Sequence, residues 1–459
     1  MGETPGARRA ASARRVPPGP PWTATPRLLW MLVFDRLGMM TSAARYGDAA
    51  KLTLGPRAMY FFNDPEHAKH VLTDNSGNYR KGVGLAQARR ALGDGLLTSE
   101  GELWRKQRKV VQPAFQHRRI ARQAGVVAEE AGALVARLRR RAGGGPVDIV
   151  HEMTDLTLGV LGRTLLDADL GAHGSIGGAF QAVQDQAMFE MVTQGVVPLW
   201  TPLPKQVRFH RARRELDRIV GRLVAERTAA GGGDAGDDAL SRLIVSVREE
   251  PDPRVARRRL RDELVTLLLA GHETTASTLG WSFLLLDRHP DVFERVRAEA
   301  VAVLGDRLPT FEDLQELRFT TMVVQEAMRL YPPVWLLSRV ALDDDEVGGY
   351  HVPAGSDVLI SPYTMHRHRG LWGDAAESFV PDRFDPANSE ARPRYAYIPF
   401  GAGPRFCVGN HLGMMEAVFV LAMVARELRL VKLSGYRVVA EPMLSLRIRD
   451  GLPMTVHTS

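Results

Sequence analysis

The chain has 459 residues, of which 45% are hydrophobic and 25% are charged, and its formal net charge is +7. This composition is typical of a globular protein with a large core, and it excludes a low-complexity or mainly disordered chain. A single cysteine excludes an internal disulfide and fits a reducing compartment, so we expect a cytoplasmic location.

Residues 1–25 predict a disordered tail, because they are basic and rich in proline and contain no apolar segment typical of a secretory signal. The apolar run from Leu28 to Phe34 is too short to cross a bilayer, so no transmembrane anchor is expected. No pattern of basic and aromatic residues indicates a nucleic-acid partner.

Hydrophobic periodicity predicts a mainly α fold with a minor β portion, arranged as one domain over residues 26–459. Alternating apolar residues around Leu52 and Phe61 predict two short strands, and Asp64-Pro65 predicts the start of a helix. Short strands and loops are expected after residue 331. Longer helices are predicted over 100–122, 126–141, 150–166, 208–229, 255–288, 290–305, 314–330 and 410–430.

The only cysteine, Cys407, lies in the segment PFGAGPRFCVGNHLG, just before a predicted helix. At a helix start, the helix dipole and free backbone N–H groups should lower the pKa of the thiol and stabilise the thiolate. Such a thiolate can attack an electrophile or bind a metal. The surrounding glycines give a flat macrocycle room to approach, which favours metal binding. The alternative is a small buried apolar side chain without chemistry.

The pattern Phe-Gly-x-Gly-x-Arg-x-Cys-x-Gly in this segment resembles the haem-binding loop of the cytochrome P450 family, the haem-thiolate monooxygenases. The resemblance implies the cytochrome P450 fold and a haem b cofactor whose iron is bound by the Cys407 thiolate. It also implies cofactor contacts from Phe400, Gly401, Arg405 and Gly409.

A polar cluster, LLLAGHETTAST, lies inside the longest predicted helix and resembles the oxygen-activating segment of the same family. Thr274 can donate a hydrogen bond to the carbonyl of Ala270, and Gly271 should leave room for dioxygen and a water beside the cofactor. The resemblance implies that Glu273 relays protons and that Thr274 positions them. His272 is expected to point away from the cofactor. The alternative is a buried polar kink without chemistry.

Two further motifs resemble the family. Glu326 and Arg329 match its E-x-x-R helix, and Arg383 supplies the usual third member in Pro-Asp-Arg-Phe, where Asp replaces the more common Glu. This network would be structural. Contacts with the haem propionates are implied for Trp104, Arg108, Arg339 and Arg405, although each arginine alone fits an exposed surface charge.

The resemblance implies a monomeric monooxygenase that inserts one atom of O₂ into an apolar terpenoid, fatty or polyketide-like substrate. Because the chain shows no fused reductase, electrons should come from a separate ferredoxin with its reductase or from a flavodoxin. The basic stretch around Trp104 is a candidate docking surface for that partner. Substrate contacts are expected from Phe189, Leu267, Ala270, Val334, Trp335 and Leu336.

Other chemistries remain open on the same residues. The scaffold also fits a peroxygenase, a decarboxylase or an oxidative coupling enzyme, and a non-enzymatic haem binder would not need the Glu273–Thr274 pair. A thiol hydrolase would need a base next to Cys407, for which His411 is the nearest candidate in sequence.

Overall fold

The computed structural model describes residues 15–54, 57–168, 170, 176–193, 195–229 and 238–458, and most of these residues are helical. The mainly α prediction with a minor β portion is therefore confirmed. The helices are α1 (Thr25–Phe34), α2 (Arg36–Ala44), α3 (Pro65–Lys69), α4 (Leu85–Leu92), α5 (Gly101–Val111), α6 (His117–Arg140), α7 (Ile149–Leu161), α8 (Ile176–Val192), α9 (Pro204–Ala229), α10 (Ala239–Ser246), α11 (Pro253–Arg288), α12 (Pro290–Leu304), α13 (Arg318–Leu330), α14 (Pro362–Met365), α15 (Arg369–Trp372), α16 (Pro386–Ser389) and α17 (Asn410–Glu427).

The main sheet has five strands in the order β1-β2-β8-β5-β3, with β2 and β8 parallel and the other neighbours antiparallel. A second sheet has the order β4-β12-β9, and β6–β7 and β10–β11 are hairpins. The strands are β1 (Ala49–Leu54), β2 (Arg57–Phe62), β3 (Tyr79–Lys81), β4 (Val147–Asp148), β5 (Leu337–Ala341), β6 (Asp345–Val347), β7 (Tyr350–Val352), β8 (Asp357–Ile360), β9 (Leu428–Lys432), β10 (Ala440–Pro442), β11 (Leu446–Ile448) and β12 (Pro453–Thr458).

Helix α11 runs through the centre of the helical core. Asp252 caps its first turn by accepting a hydrogen bond from the N–H of Arg254 at 2.8 Å, and Pro253 occupies the first helical position, where no N–H is needed. Most side chains between residues 260 and 286 are buried, because α7 and α17 pack against this helix. The polar cluster of α11 therefore lies within the helical core, with Ala270 and Thr274 on a face that these helices leave accessible.

The structure confirms α11 and α12 within two residues and begins α9 four residues before the predicted start, but it divides the helix predicted over 100–122. Pro113 lies in a 3₁₀ turn between α5 and α6, where its missing N–H would interrupt a continuous helix. The helix predicted to Leu430 ends at Glu427, because Leu428–Lys432 pairs with β12 instead. Helix α8 was not predicted.

Of residues 1–25, for which disorder is predicted, the structure describes residues 15–25, whereas residues 1–14 lie outside the described part of the chain. The N–H of Lys51 donates to the carbonyl of Pro18 at 2.8 Å, and the N–H of His351 donates to that of Arg15 at 2.9 Å. These bonds attach the segment to β1 and β7. Among the described residues, no helix combines the length and apolarity needed to cross a bilayer.

Candidate active site

The cysteine loop is a tight turn held by backbone hydrogen bonds. The N–H of Cys407 donates to the carbonyl of Phe400 at 3.0 Å, and a 3₁₀ turn over Gly403–Arg405 precedes the cysteine. Gly403 has φ +68°, and a Cβ there would collide with the carbonyl oxygen of Leu72. Glycine is therefore required at this position for the loop to pack against its neighbour, as well as for its backbone conformation.

The Cys407 side chain is exposed, yet many protein atoms surround its sulfur. This crowding raises the pKa of the thiol, whereas hydrogen bonds from the N–H groups of Gly409 and Asn410 and the charge of Arg108 lower it. Desolvation is the larger effect, so the prediction of a lowered thiol pKa is wrong for this structure. The two N–H groups are nevertheless directed at the sulfur, as stabilisation of a metal-bound thiolate requires.

On α11, Ala270 is exposed and Thr274 is half-buried one turn later. The Thr274 hydroxyl donates to the Ala270 carbonyl at 2.8 Å, as predicted. Gly271 does not provide the predicted space, because a Cβ there would lie 2.6 Å from Cδ2 of Leu161 on α7. The glycine instead permits α7 and α11 to pack closely.

His272 is buried against α8, with its ring centroid 4.8 Å from that of Phe180. Burial lowers its pKa to about 4, so the imidazole is neutral at pH 7. Its Nδ1 is hydrogen-bonded to the Leu268 carbonyl within α11. These contacts give His272 a structural role in the packing of α11 against α8.

The Glu273 carboxyl is held between two distant elements. The Ser445 hydroxyl, in the β10–β11 turn, donates to Oε1 at 2.7 Å, and the side-chain amide of Gln184 on α8 donates to Oε2. Burial raises the pKa of Glu273, while these two hydrogen bonds and the charge of Arg447 act in the opposite direction. A carboxyl with a raised pKa can hold a proton and deliver it, which suits a proton relay.

Three cations gather near the start of α5. Lys81 and Arg339 are buried and lie opposite each other in the β3–β5 pairing, and the charges of both interact with that of Arg405. Burial and the neighbouring Arg405 lower the pKa of Lys81 to about 7 and that of Arg339 to about 10. Lys81 was not singled out in the sequence, because an isolated lysine in a short strand carries no signal.

Two carboxylates lie close to this cation cluster, defined as Lys81, Arg339 and Arg405. Glu100 forms an ion pair with Arg405 and accepts a hydrogen bond from the Lys81 N–H at 2.6 Å. Burial raises the pKa of Glu263, the second carboxylate, to about 7. Positive charge therefore exceeds negative charge here, and the donor set fits an additional anion such as the propionates of haem.

Trp104 and Arg108 connect the cation cluster with the cysteine loop. The Arg405 guanidinium carbon lies 4.6 Å from the centroid of the Trp104 ring, a cation–π distance. Arg108 donates to the Phe406 carbonyl at 2.8 Å, and its charge acts on the Cys407 sulfur. These contacts bring Trp104, Arg108 and Arg405 together beside the cysteine loop. Their contacts with haem propionates stay a prediction.

The family model described as Cytochrome P450 matches residues 17–445 of the chain. The chain belongs to the cytochrome P450 family. Members of this family bind haem through a cysteine thiolate and use O₂ with redox partners, so the protein is an oxidoreductase of the monooxygenase class.

The curated relatives of this P450 include proteins from bacteria and plants. Cyclooctatin synthase of Streptomyces melanosporofaciens is 36% identical over 412 residues, which cover 89% of each chain. Pentalenene oxygenase of Streptomyces avermitilis is 31% identical over 420 residues, covering 91% of this chain and 90% of that one. The chloroplastic protein LUTEIN DEFICIENT 5 of Arabidopsis thaliana is 31% identical over 400 residues, covering 83% and 67%, respectively.

The E-x-x-R network of this P450 is fully buried at its centre. Glu326 accepts hydrogen bonds from Arg329 at 2.7 and 2.8 Å and from the N–H of Val380 at 2.8 Å, and Arg383 lies 3.5 Å away. Arg329 also donates to the His366 carbonyl at 2.7 Å. These contacts join α13 to the segment that precedes the cysteine loop.

Asp382, the residue of that network that differs from the usual family pattern, has its own partner. Asp382, where the family more often has Glu, forms a bidentate pair with Arg295 at 2.7 and 2.8 Å. The change to Asp therefore leaves the Glu326–Arg329 core unaffected and connects the same segment to α12.

Trp335, for which a substrate contact is predicted, lies in the core of the protein. Its side chain is 4% exposed, packs in the cluster that contains Met39, and donates from its indole N–H to the Met443 carbonyl at 2.9 Å. Val334 and Leu336 beside it are half-buried. Composition could not separate these cases, because a core position and an apolar cavity both select large apolar side chains.

Proposed function

We propose that this P450 inserts one oxygen atom from O₂ into an apolar terpenoid, with electrons supplied by a separate ferredoxin system or flavodoxin. The observation that carries this proposal is the Glu273–Thr274 pair on α11 in a chain whose Cys407 thiol accepts two backbone N–H bonds. The terpenoid class is supported by the relatives named cyclooctatin synthase and pentalenene oxygenase, of which the chain covers 89% and 90%.

The residues present fit haem b. Cys407 would bind the iron, and the cation cluster together with Trp104 and Arg108 would hold the propionates, with Phe400, Gly401 and Gly409 forming the loop beneath. When bound, the haem supplies the activation of dioxygen, for which a thiolate ligand favours O–O cleavage. The role of the protein is to bind and orient the substrate, exclude water and deliver protons.

Proton delivery is assigned to two neighbouring side chains of α11. The raised pKa of Glu273 favours the protonated form of its carboxyl, which can donate a proton, and Thr274 offers a hydroxyl one residue later. The Thr274 hydroxyl donates to Ala270, so its lone pairs remain available to accept a proton-donating water. We assign the proton relay to Glu273 and the positioning of the last donor to Thr274.

Apolar side chains would determine which substrate fits. Phe189 lies half-buried on α8, and Leu267 and the exposed Ala270 lie in the first turn of the polar cluster of α11. Val334 and Leu336 extend from the turn before β5. An apolar surface with few polar groups suits a terpene hydrocarbon, which offers shape but few hydrogen-bonding atoms.

Electron transfer would occur on the cysteine side of the molecule, from a partner with an acidic surface. Helix α5 adjoins the cysteine loop through the Arg108–Phe406 bond, and several of its basic side chains face solvent. We further infer that the protein is monomeric and cytoplasmic. The exposed cations that would face the partner, on α5 and at the start of α6, are Arg105, Lys106, Lys109 and Arg118.

Two measurements test the proposal in order. The reduced, CO-bound protein should show the spectrum of haem-thiolate ligation, and Cys407→Ser should abolish it. Cyclic terpene hydrocarbons and matched fatty acids should then be compared for spin-state shifts and for products heavier by one oxygen atom. A normal spectrum with oxidation of fatty acids only would overturn the terpenoid assignment, and activity retained by Cys407→Ser would overturn the reaction itself.

A further inference from the structure

One face of α11 contacts the β10–β11 turn over three successive helical turns. Glu273, Ser277 and Trp281 are four residues apart, so their side chains follow one another along this face. The Ser445 hydroxyl donates to Glu273, and the next residue, Leu446, accepts through its carbonyl from the other two side chains. A continuous row of hydrogen bonds therefore joins the acid of α11 to the turn that holds it.

The Leu446 carbonyl is the centre of this row. It accepts hydrogen bonds from the Ser277 hydroxyl at 2.6 Å and from the Trp281 indole N–H at 3.0 Å, which together use both lone pairs of the oxygen. The Leu446 N–H donates to the Pro333 carbonyl at 2.9 Å. All three bonded residues of the row are at most 6% exposed, so bulk water does not compete for these bonds.

Two buried tryptophans hold the backbone around Ser445. Trp281 is stacked on Tyr331 with a centroid distance of 3.8 Å and an interplanar angle of 2°, which fixes the direction of its indole N–H. Trp335 donates from its indole N–H to the carbonyl of Met443, two residues before Ser445, at 2.9 Å. The chain on both sides of Ser445 is thus attached to other elements.

The second attachment of Glu273 differs from the first. It comes from Gln184 of α8, and the side-chain amide oxygen of Gln184 is buried without a hydrogen-bond partner in the described part of the chain. The Ser445 hydroxyl, in contrast, extends from a backbone that is fixed independently of the acid. The orientation of the Glu273 carboxyl is therefore set from the β10–β11 side.

We propose that Ser445 is a positioning residue for the Glu273 acid, and that Ser277 and Trp281 act on this acid by fixing Ser445 through the Leu446 carbonyl. This role rests on the proposed function of Glu273 as a proton relay. When one carboxyl oxygen is bound to a fixed hydroxyl, the other oxygen points in a defined direction, as directed proton transfer requires. The donated bond also stabilises the carboxylate, so the acid releases its proton more readily.

The electrostatic surroundings of Glu273 give this role a measurable sign. Burial raises the pKa of Glu273, and the hydrogen bond from Ser445 acts against the rise. Removal of the Ser445 hydroxyl should therefore raise this pKa further. The other polar groups that act on the acid or adjoin it are Gln184 of α8, Arg447 of β11 with its ion-pair partner Glu441 of β10, and the neutral His272 of α11.

Infrared difference spectroscopy of the full-length haem-loaded protein tests the proposal without a substrate. The carboxyl band that Glu273→Gln removes identifies the acid, and its pH titration gives the midpoint. Ser445→Ala should strengthen proton binding about tenfold, which moves the midpoint up by about one pH unit. Trp281→Phe keeps the aromatic stack and removes only the N–H, so it should strengthen proton binding about twofold. Ser445→Thr keeps the hydroxyl and should titrate like the unchanged protein.

Ser282→Ala is the matched control. It removes another buried hydroxyl of α11, whose hydrogen bond goes to the Thr278 carbonyl and does not involve the turn. The carboxyl band of this variant should titrate as in the unchanged protein, and the CO spectrum reports whether each variant is folded. Equal midpoints for Ser445→Ala and Ser282→Ala would overturn the proposal.

The relay itself has a separate test in Glu273→Gln, whose yield of product per electron should fall. A lowered yield in this variant together with an unshifted band in Ser445→Ala would overturn the positioning role alone. An unchanged yield together with a shifted band would overturn the relay and support the control of the carboxyl by Ser445.

Discussion

Glu273 is bonded on both carboxylate oxygens, by Ser445 and by Gln184. Replacement by Gln preserves the shape and removes the transferable proton, so product formation should fall about a hundredfold or more while reduced CO spectra stay unchanged. Turnover of terpene and release of hydrogen peroxide should be measured together, with Asp287→Asn near the end of the same helix as a control. An unchanged yield of product per electron would contradict the relay role.

Glu416 is a fully buried carboxyl on α17, and burial raises its pKa well above the usual value. Because the folded pKa is the higher one, its contribution to stability is complete below the unfolded pKa and is lost as pH rises toward the folded pKa. The loss is at most about 1.4 kcal/mol per pH unit.

Glu416→Gln is neutral at every pH and should escape this loss. Melting temperatures of the variant and the unchanged protein, measured by circular dichroism from pH 5 to 8, should therefore diverge in favour of the variant as pH rises. Glu312→Gln, at an exposed carboxyl, is the matched control. A difference that stays constant across this range would show that Glu416 does not titrate as described.

At the level of residues, the sequence was informative where a site is local and silent where it is assembled from distant segments. Thr274 and Ala270 are four residues apart, so helix geometry alone predicted their hydrogen bond. Gln184 is 89 residues from Glu273, and Ser445 is 172 residues away, so no spacing rule could join them. Lys81 reaches the cation cluster through strand pairing with Arg339, which a single sequence does not specify.

Between elements, the strongest prediction concerns the buried ion pair of α13. Glu326→Ala would leave Arg329 charged and fully buried without its carboxylate, and this should cost about 3–5 kcal/mol of unfolding free energy. Loss of haem-bound protein on purification and a lowered melting temperature would report the effect.

The exposed pair between Arg295 and Asp382 provides the comparison for that prediction. Both side chains are about half exposed, so Arg295→Gln should cost no more than about 1 kcal/mol. Similar losses for Glu326→Ala and Arg295→Gln would contradict the assignment of a buried structural centre.

Element boundaries show which physical signals decide helix prediction. Helix α11 was predicted within two residues from its long helical pattern, and its observed start at Pro253 directly follows the Asp252 cap. Helix α8 was missed because apolar side chains occur on all its faces and leave no clear 3.6-residue pattern. Leu428 and Leu430 fit a helix extension or a strand equally well, and pairing with β12 decides for the strand.

For the whole molecule, the net charge of +7 bears on the proposed docking of an acidic redox partner at the cysteine side. If an acidic ferredoxin docks beside α5, the rate of its electron transfer should fall several-fold between 50 and 500 mM NaCl, because salt screens exposed charges. Stopped-flow reduction under CO measures this rate, and a small neutral reductant such as dithionite controls for effects of salt on the protein. A rate independent of salt would exclude charge-guided docking.

The double attachment of Glu273 has a consequence for how cells tolerate this enzyme. One of its bonds comes from α8, the helix that also carries the proposed substrate residue Phe189, so a molecule that displaces α8 also changes the surroundings of the acid. We expect poorly fitting substrates to divert electrons into reactive oxygen species. The size and shape of a substrate would then influence oxidative stress in the host as well as reaction rate.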